Sequence, residues 1–349
     1  MLAATSAEAR GATHASTMNS DRMHAVVAAL QLLLTNLAPN ANPTGLVGRA
    51  RAATSLEIVV SVCSTPFVPF LEAIIARLAE ENVHVARVSL YPKCGKMSYN
   101  RAVDGVRSLP PDWRAQELPN YGRNDATYLH HISTHYGDLH DAVLFWKDSS
   151  PSQGQDPFDV VRASLLQDGG WSPFGCVSRN STSPHYVCGL RPRAFVRNTA
   201  LHGYLTSHEQ NPAAANATGF RSPTSPLGTW VDQFNFSSRV RHQLNAPNWP
   251  ICLAGSFFAS RRALMTLAQE EWAALHHSLT VRQRDSLEEG HFMERIWAVL
   301  LAPRLDAADM LTMLAQCGAW KVQTIREQLA AMERRGHLAM APCARRHRC

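Results

Sequence analysis

The sequence predicts an α/β fold: one large domain built on a mostly parallel central sheet with helices on both faces. Three observations carry that expectation. Short β-branched apolar runs alternate with amphipathic stretches from residue 57 onwards. The intervals between these runs are long enough for helical crossovers, which return the chain in the same direction. A hydrophobic content of 45% beside 18% charged residues supplies a core and excludes wholesale disorder.

Taken in order, residues 1–54 are rich in Ala, Thr, Ser and Asn and read as a disordered or targeting segment. Within it Ala25–Ala38 is a fourteen-residue apolar run, whereas spanning a bilayer takes about twenty residues. The run suits the hydrophobic region of a signal peptide behind Arg22, and equally a short amphipathic helix. A secretory or Golgi-luminal location is compatible with the first reading.

Glu57–Cys63 (EIVVSVC) is β-branched and apolar throughout, as a buried strand is. Pro66 and Pro69 then open a helix over Phe70–Glu81, with Leu71, Ile74, Ile75 and Leu78 on one face. His84–Tyr91 alternates as a second strand. Pro110 and Pro111 mark a loop, Ala126–Tyr136 a helix and Ala142–Trp146 a third strand. Gly169–Pro250 is rich in Gly, Pro, Ser and Asn and reads as irregular loops. A fourth strand is expected at Ile251–Ala259, then a helix to about His277 and another at Glu288–Leu301. The domain is therefore placed at 55–303, and 304–349 reads as a helical extension with a basic tail.

The net charge of +6 owes much to Arg49, Arg51, Arg334, Arg335, Arg345, Arg346 and Arg348, all outside the predicted domain. These read as solvated ends. No basic stripe is interleaved with aromatics, so nucleic-acid binding is not expected. The eight cysteines contain no C-x-x-C pair, which argues against a structural zinc site. Cys63 lies in an apolar strand and is expected as a free buried thiol. Cys176 and Cys188 flank a loop-rich stretch and are the best disulfide candidates. Glycosylation sequons stand at Asn180, Asn216 and Asn235.

In sheets of this kind, ligands bind beyond the carboxyl ends of the parallel strands. That directs attention to Ser64–Thr65, Pro92–Lys96 and Lys147–Ser150. Three clusters could carry chemistry. Asn120, Gly122, Arg123 and Asp125 crowd just before a helix: Gly122 permits a tight turn, Asp125 can cap, and the Arg123 fork suits phosphate oxygens. The same residues would also make a capped turn with a routine ion pair. Gly255 and Ser256 sit among large apolar residues, where a backbone approaches a ligand or merely packs; Arg261 and Arg262 follow as ligand contacts or a solvated turn. On the last helix Glu288, His291 and Arg295 share a face, and Glu294 lies within reach of His291 and Arg295. Glu294 is either a carboxylate held for general-base work or part of an ordinary polar face. His291 and Glu294 alone are too few to ligate zinc.

These clusters resemble an uncharacterised eukaryotic family catalogued as domain of unknown function 3431. Its members carry N-x-G-R-E-x-x-T-Y-L-x-x-I, a strand ending in phenylalanine, C-x-x-G-x-F-x-x-S-R and G-H-x-x-E-R-x-W. Here the matching residues are Asn120, Gly122, Arg123, Thr127, Tyr128, Leu129 and Ile132, then Phe145, then Cys252, Gly255, Phe257, Ser260 and Arg261. Gly290, His291, Glu294, Arg295 and Trp297 complete the set. One departure stands out: Asn124 occupies the acidic position, with Asp125 one place later.

The family's layout is similar to the glycosyltransferase A fold. The resemblance implies an enzyme acting on a nucleotide sugar and an acceptor. In that reading Asn120, Arg123, Asp125 and Asp148 hold the nucleotide sugar, and Glu294 is the acceptor's general base oriented by His291 or Arg295. Enzymes of this type usually place magnesium or manganese on an Asp-x-Asp, and the chain contains none. Asp148 stands alone after the third strand, as a weak metal ligand, a ribose contact or a turn cap. The alternative is a non-catalytic carbohydrate- or nucleotide-binding protein on a degenerate transferase scaffold. A hydrolase has no G-x-S-x-G elbow to support it.

Overall fold

The computed structural model describes residues 55–63, 66–95, 99–100, 104, 112–151, 156–165, 170–177, 190–201, 219–246, 248–252 and 255–302. The expectations for residues 1–54, Ser64–Thr65, Lys96, Cys188, Asn180, Asn216 and 304–349 lie outside them.

The β-branched run forms β1, Ser55–Val62, and the alternating run forms β2, His84–Pro92. They pair in parallel from Ser55↔His84 to Val62↔Pro92. Between them α1, Val68–Glu80, begins with a proline in its first turn and buries Leu71, Ile74 and Leu78. The Trp113–Ala115 segment adds β3 to the outer edge of β2. The chain then crosses back through α2, Arg123–Thr134, to β4, Ala142–Lys147, which pairs with β1 in parallel.

Beyond β4 come α3, Pro157–Ser164, and β5, Phe174–Cys176. A separate antiparallel pair is made by β6, Leu190–Pro192, and β7, Asn248–Pro250. Between them lie α4, Arg193–Arg197, α5, Leu227–Asp232, and α6, Ser238–Leu244. Then β8, Phe257–Ser260, inserts between β4 and β5 and runs antiparallel to both. Short α7, Arg261–Leu264, and α8, Gln269–Thr280, lead to α9, Glu288–Leu301. Among the described residues the main sheet has the order β3-β2-β1-β4-β8-β5. The expected architecture, a mostly parallel sheet covered on both faces, is the one observed.

Alternation along each strand divides the core in two. Leu56, Ile58, Val60 and Val62 of β1 face α1 and α3 with Leu144, Trp146 and Phe158. Val59, Val143, Phe145 and Phe257 face α2, α8 and α9. On that second side Tyr128, Phe145, Phe257 and Trp297 form a continuous aromatic stack with centroid separations of 5.2, 4.8 and 4.7 Å.

Several expectations need correction. Ile251–Ala259 is not one strand: Gly255 adopts φ +67° and turns the chain, so only Phe257 onwards joins the sheet. The helix expected to run on to His277 is broken between Leu264 and Gln269. The Gly169–Pro250 stretch holds short strands and helices as well as loops. Cys63 is not a free thiol but pairs with Cys94, and Cys176 pairs with Cys252 instead of Cys188. Both bridges tie segments brought together by strand pairing: β1 to β2, and the segment before β8 to β5. No described helix is long and apolar enough to cross a membrane.

Candidate functional site

The carboxyl ends of β1, β2 and β4 lie side by side, and the chain leaving each is pinned there. Asp148, just past β4, accepts a 2.7 Å hydrogen bond from the backbone N–H of Cys63, just past β1. Cys63 in turn is bonded to Cys94, just past β2. Lys93, buried between them, donates to the carbonyl oxygens of Tyr121 (2.7 Å) and Arg123. Burial pulls its pKa down to about 8, against the pull of Asp285 and Asp125. Lys93 thereby fixes the turn that starts α2 at the end of the sheet.

That turn is unusual. Gly122 and Arg123 both adopt left-handed backbone conformations, φ +61° and +56°. A β-carbon at Gly122 would lie 2.8 Å from the Leu279 carbonyl oxygen, so only glycine fits. Arginine in this conformation costs about 1 kcal/mol, a strain that neighbouring contacts must hold in place. For Arg123 the neighbour is His291: Nη1 lies 2.6 Å from the imidazole Nδ1 and 3.0 Å from Nε2. Gly290 leaves room for the arginine stem, since a β-carbon there would meet Arg123 Cδ at 3.4 Å.

His291 is buried, which lowers its pKa from the ordinary histidine value; Arg123 adds to the effect, and Glu294 opposes it. The imidazole is thus neutral at neutral pH and can accept from the guanidinium. One turn on, Glu294 Oε2 lies 3.8 Å from His291 Nδ1 and 3.9 Å from Arg295 Nη1. Arg295 is oriented by a 2.8 Å bond to the His291 carbonyl oxygen. The Glu294 side chain keeps 14% of its surface exposed, which leaves it reachable from solvent.

Asp125 behaves differently from the expectation. It does not cap α2, whose first turn is preceded by Gly122. It is 1% exposed and accepts a 2.7 Å bond from the Trp297 indole. Burial raises its pKa to about 6; Arg123 and the indole oppose this, and Glu294 reinforces it. Asp125 holds α2 against α9 and is sealed from a ligand. Its neighbours complete the joint: Asn124 Nδ2 and Tyr128 Oη both donate to the Gly255 carbonyl oxygen, at 3.2 and 2.8 Å. A β-carbon at Gly255 would lie 2.5 Å from Asn124 Nδ2.

The three sequence clusters therefore meet at one end of the sheet: Arg123 on His291, Asp125 on Trp297, Asn124 and Tyr128 on Gly255. Asp148 belongs to the same end. Ser150 Oγ and Ser256 Oγ are 2.8 Å apart, and the charges of Asp125 and Asp148 both bear on the Tyr128 hydroxyl, which burial raises well above its ordinary pKa. Asn120 is exposed beside this set. Arg261 is not part of it: β8 runs away from the site, and Arg261 Nη2 reaches the Gly137 carbonyl at the opposite end. Glu288 faces neither solvent nor the cluster; its carboxylate accepts from the N–H groups of Leu201 and Ser222. Sequence reasoning gave no role to Lys93, nor to Tyr128 and Trp297, although the last two sit in the quoted motifs.

Among the described residues no group of three His, Cys, Asp or Glu side chains could hold a metal ion. Asp148 offers one carboxylate, with one oxygen already accepting from Cys63 N–H. Magnesium is commonly held by one or two carboxylates together with substrate phosphates, so Asp148 fits only as a partial ligand.

No protein-family model matches the chain, and no curated protein is significantly similar to it. A solved structure, the mannosyl-3-phosphoglycerate synthase from Rubrobacter xylanophilus, is similar over 84% of this chain and 79% of its own, at 11% identity and a TM-score of 0.28.

Proposed function

We propose that this chain is a glycosyltransferase-like enzyme of glycosyltransferase A-like fold, related to the domain of unknown function 3431 family, that acts on a nucleotide sugar. The observation that supports this reading is the contact chain Arg123–His291–Glu294 at the carboxyl ends of the parallel strands, where Asp148 also stands. The Arg123 guanidinium contacts the diphosphate, and Asp148 contacts the ribose. A divalent cation bound by Asp148 and the diphosphate oxygens would offset the charge of the leaving group.

Glu294 takes the proton of the acceptor hydroxyl as that oxygen bonds to the sugar carbon and the sugar–phosphate bond breaks. His291, neutral and hydrogen-bonded to Arg123, keeps Glu294 and the guanidinium at fixed separation. A base so placed contributes roughly 10²–10⁴-fold to the rate. The test is a panel of nucleotide sugars in calorimetric titration, with and without manganese, followed by donor hydrolysis and transfer assays. Glu294→Gln is expected to lose 10²-fold or more in turnover, on the order expected for a general base, and to bind the donor as before. Unchanged turnover would remove Glu294 from the mechanism. Donor binding without turnover in the wild type would favour the binding-protein alternative.

A further inference from the structure

We propose that Asn235 carries an N-linked glycan. Two independent observations lead there. First, Asn235-Phe236-Ser237 is a sequon within the described residues, in the loop between α5 and α6, and its asparagine is exposed. Second, four cysteines are joined as Cys63–Cys94 and Cys176–Cys252. Disulfides of this structural kind form and persist in oxidising compartments, the same compartments in which sequons are modified.

The local structure holds the acceptor outward. Phe236 is buried at 2% exposure and anchors the loop, while Ser237 caps α6 and its N–H donates to Glu271 Oε1 at 2.6 Å. In the reaction the Asn235 Nδ2 attacks the anomeric carbon of a polyprenyl-diphosphate-linked oligosaccharide. A C–N bond forms, the bond from that carbon to the diphosphate oxygen breaks, the amide proton passes to a base of the transferring enzyme, and the lipid diphosphate leaves.

The attachment loop lies at the other end of α8 from the candidate site. Glu271 lies at the start of α8, near the end of α2 where Gln269 bonds Ser133, whereas Leu279 at the other end of α8 abuts Gly122. Eight helical residues separate the two by about 12 Å.

The test uses protein purified from its natural source. Trypsin releases residues 222–239, in which Asn235 is the sole asparagine. After peptide N-glycosidase treatment in heavy-oxygen water, this peptide is expected to carry a labelled aspartate at position 235. A second measurement expresses the wild type and Asn235→Gln through a eukaryotic secretory route, where the variant is expected to lose one glycosidase-sensitive mobility step. Recovery of the peptide from the native protein with Asn235 wholly unmodified would overturn the proposal, as would identical mobility of the two chains.

Discussion

Replacing Asp125 with asparagine tests the electrostatics of the joint between α2 and α9. The carboxyl is sealed, and its pKa is raised from 3.8 to about 6, chiefly by burial. The folded protein therefore binds a proton here more tightly than the unfolded chain does. Stability from this group is full below about pH 3.8 and falls as pH rises through about 6, by about 3 kcal/mol in all. Asparagine keeps an oxygen for the Trp297 indole and mimics the neutral acid, but it places an amide near the Arg123 charge. The expected outcome is that Asp125→Asn stabilises the protein at pH 7.5 by about 1–3 kcal/mol and has little effect at pH 4. Urea denaturation followed by tryptophan fluorescence at several pH values measures both numbers. A variant no more stable than wild type at pH 7.5, or a difference that does not change with pH, would refute the assignment of a burial-raised acid.

Glu57 on β1 has the opposite sign. Its fully buried carboxylate faces Ser89 at 2.7 Å, with Arg87, Arg114 and His131 around it, and these partners overcome burial to bring its pKa to about 2. Stability from Glu57 is present above pH 4.5 and lost as pH falls towards 2; Glu57→Gln is expected to cost about 3 kcal/mol at pH 7 and less at pH 3, by the same denaturation assay. Gly255→Ala places a methyl 2.5 Å from Asn124 Nδ2 at φ +67° and is expected to cost about 3 kcal/mol, falling to about 1 in an Asn124→Ala background where only the backbone conformation remains penalised. Thermal melts of the wild type, the two single variants and the double variant check this coupling. Joint Cys63→Ser and Cys94→Ser substitution opens a link across 31 residues and is expected to lose about 2–4 kcal/mol in equilibrium unfolding; an unchanged midpoint would show that strand pairing alone holds the two ends.

Where burial shows as an unbroken or periodic apolar pattern, the chain could be read directly. β1, β2 and β4 lie within a residue or two of their expected limits, and α9 spans Glu288–Leu301 as expected. The pattern fails where one residue's conformation decides. Ile251–Ala259 looks like a continuous strand, yet the left-handed Gly255 divides it, and nothing in its composition distinguishes that from packing. β3 is a three-residue edge strand, too short to leave a period. Cysteine partners depend on which strands become neighbours, so neither the apolar run around Cys63 nor the loop-rich stretch after Cys176 pointed to the true partners. At the candidate site, the meeting of Arg123, Gly255 and His291 follows from topology. That Asp125 faces an indole and not solvent could not be read, because a polar residue in a helix pattern looks the same whether its partner is water or tryptophan.

α2 is gripped at both ends. Near its start Asn124, Asp125 and Tyr128 are tied to Gly255 and Trp297; further along, His131 sits 2.9 Å from the Tyr91 hydroxyl and 3.4 Å from Glu57. A helix held at two separated levels can neither roll nor slide without breaking polar bonds in the interior. The guanidinium at its tip consequently has its bearing set before any ligand arrives. A substitution far below, at the level of Glu57, should disturb that bearing through the rigid rod between them.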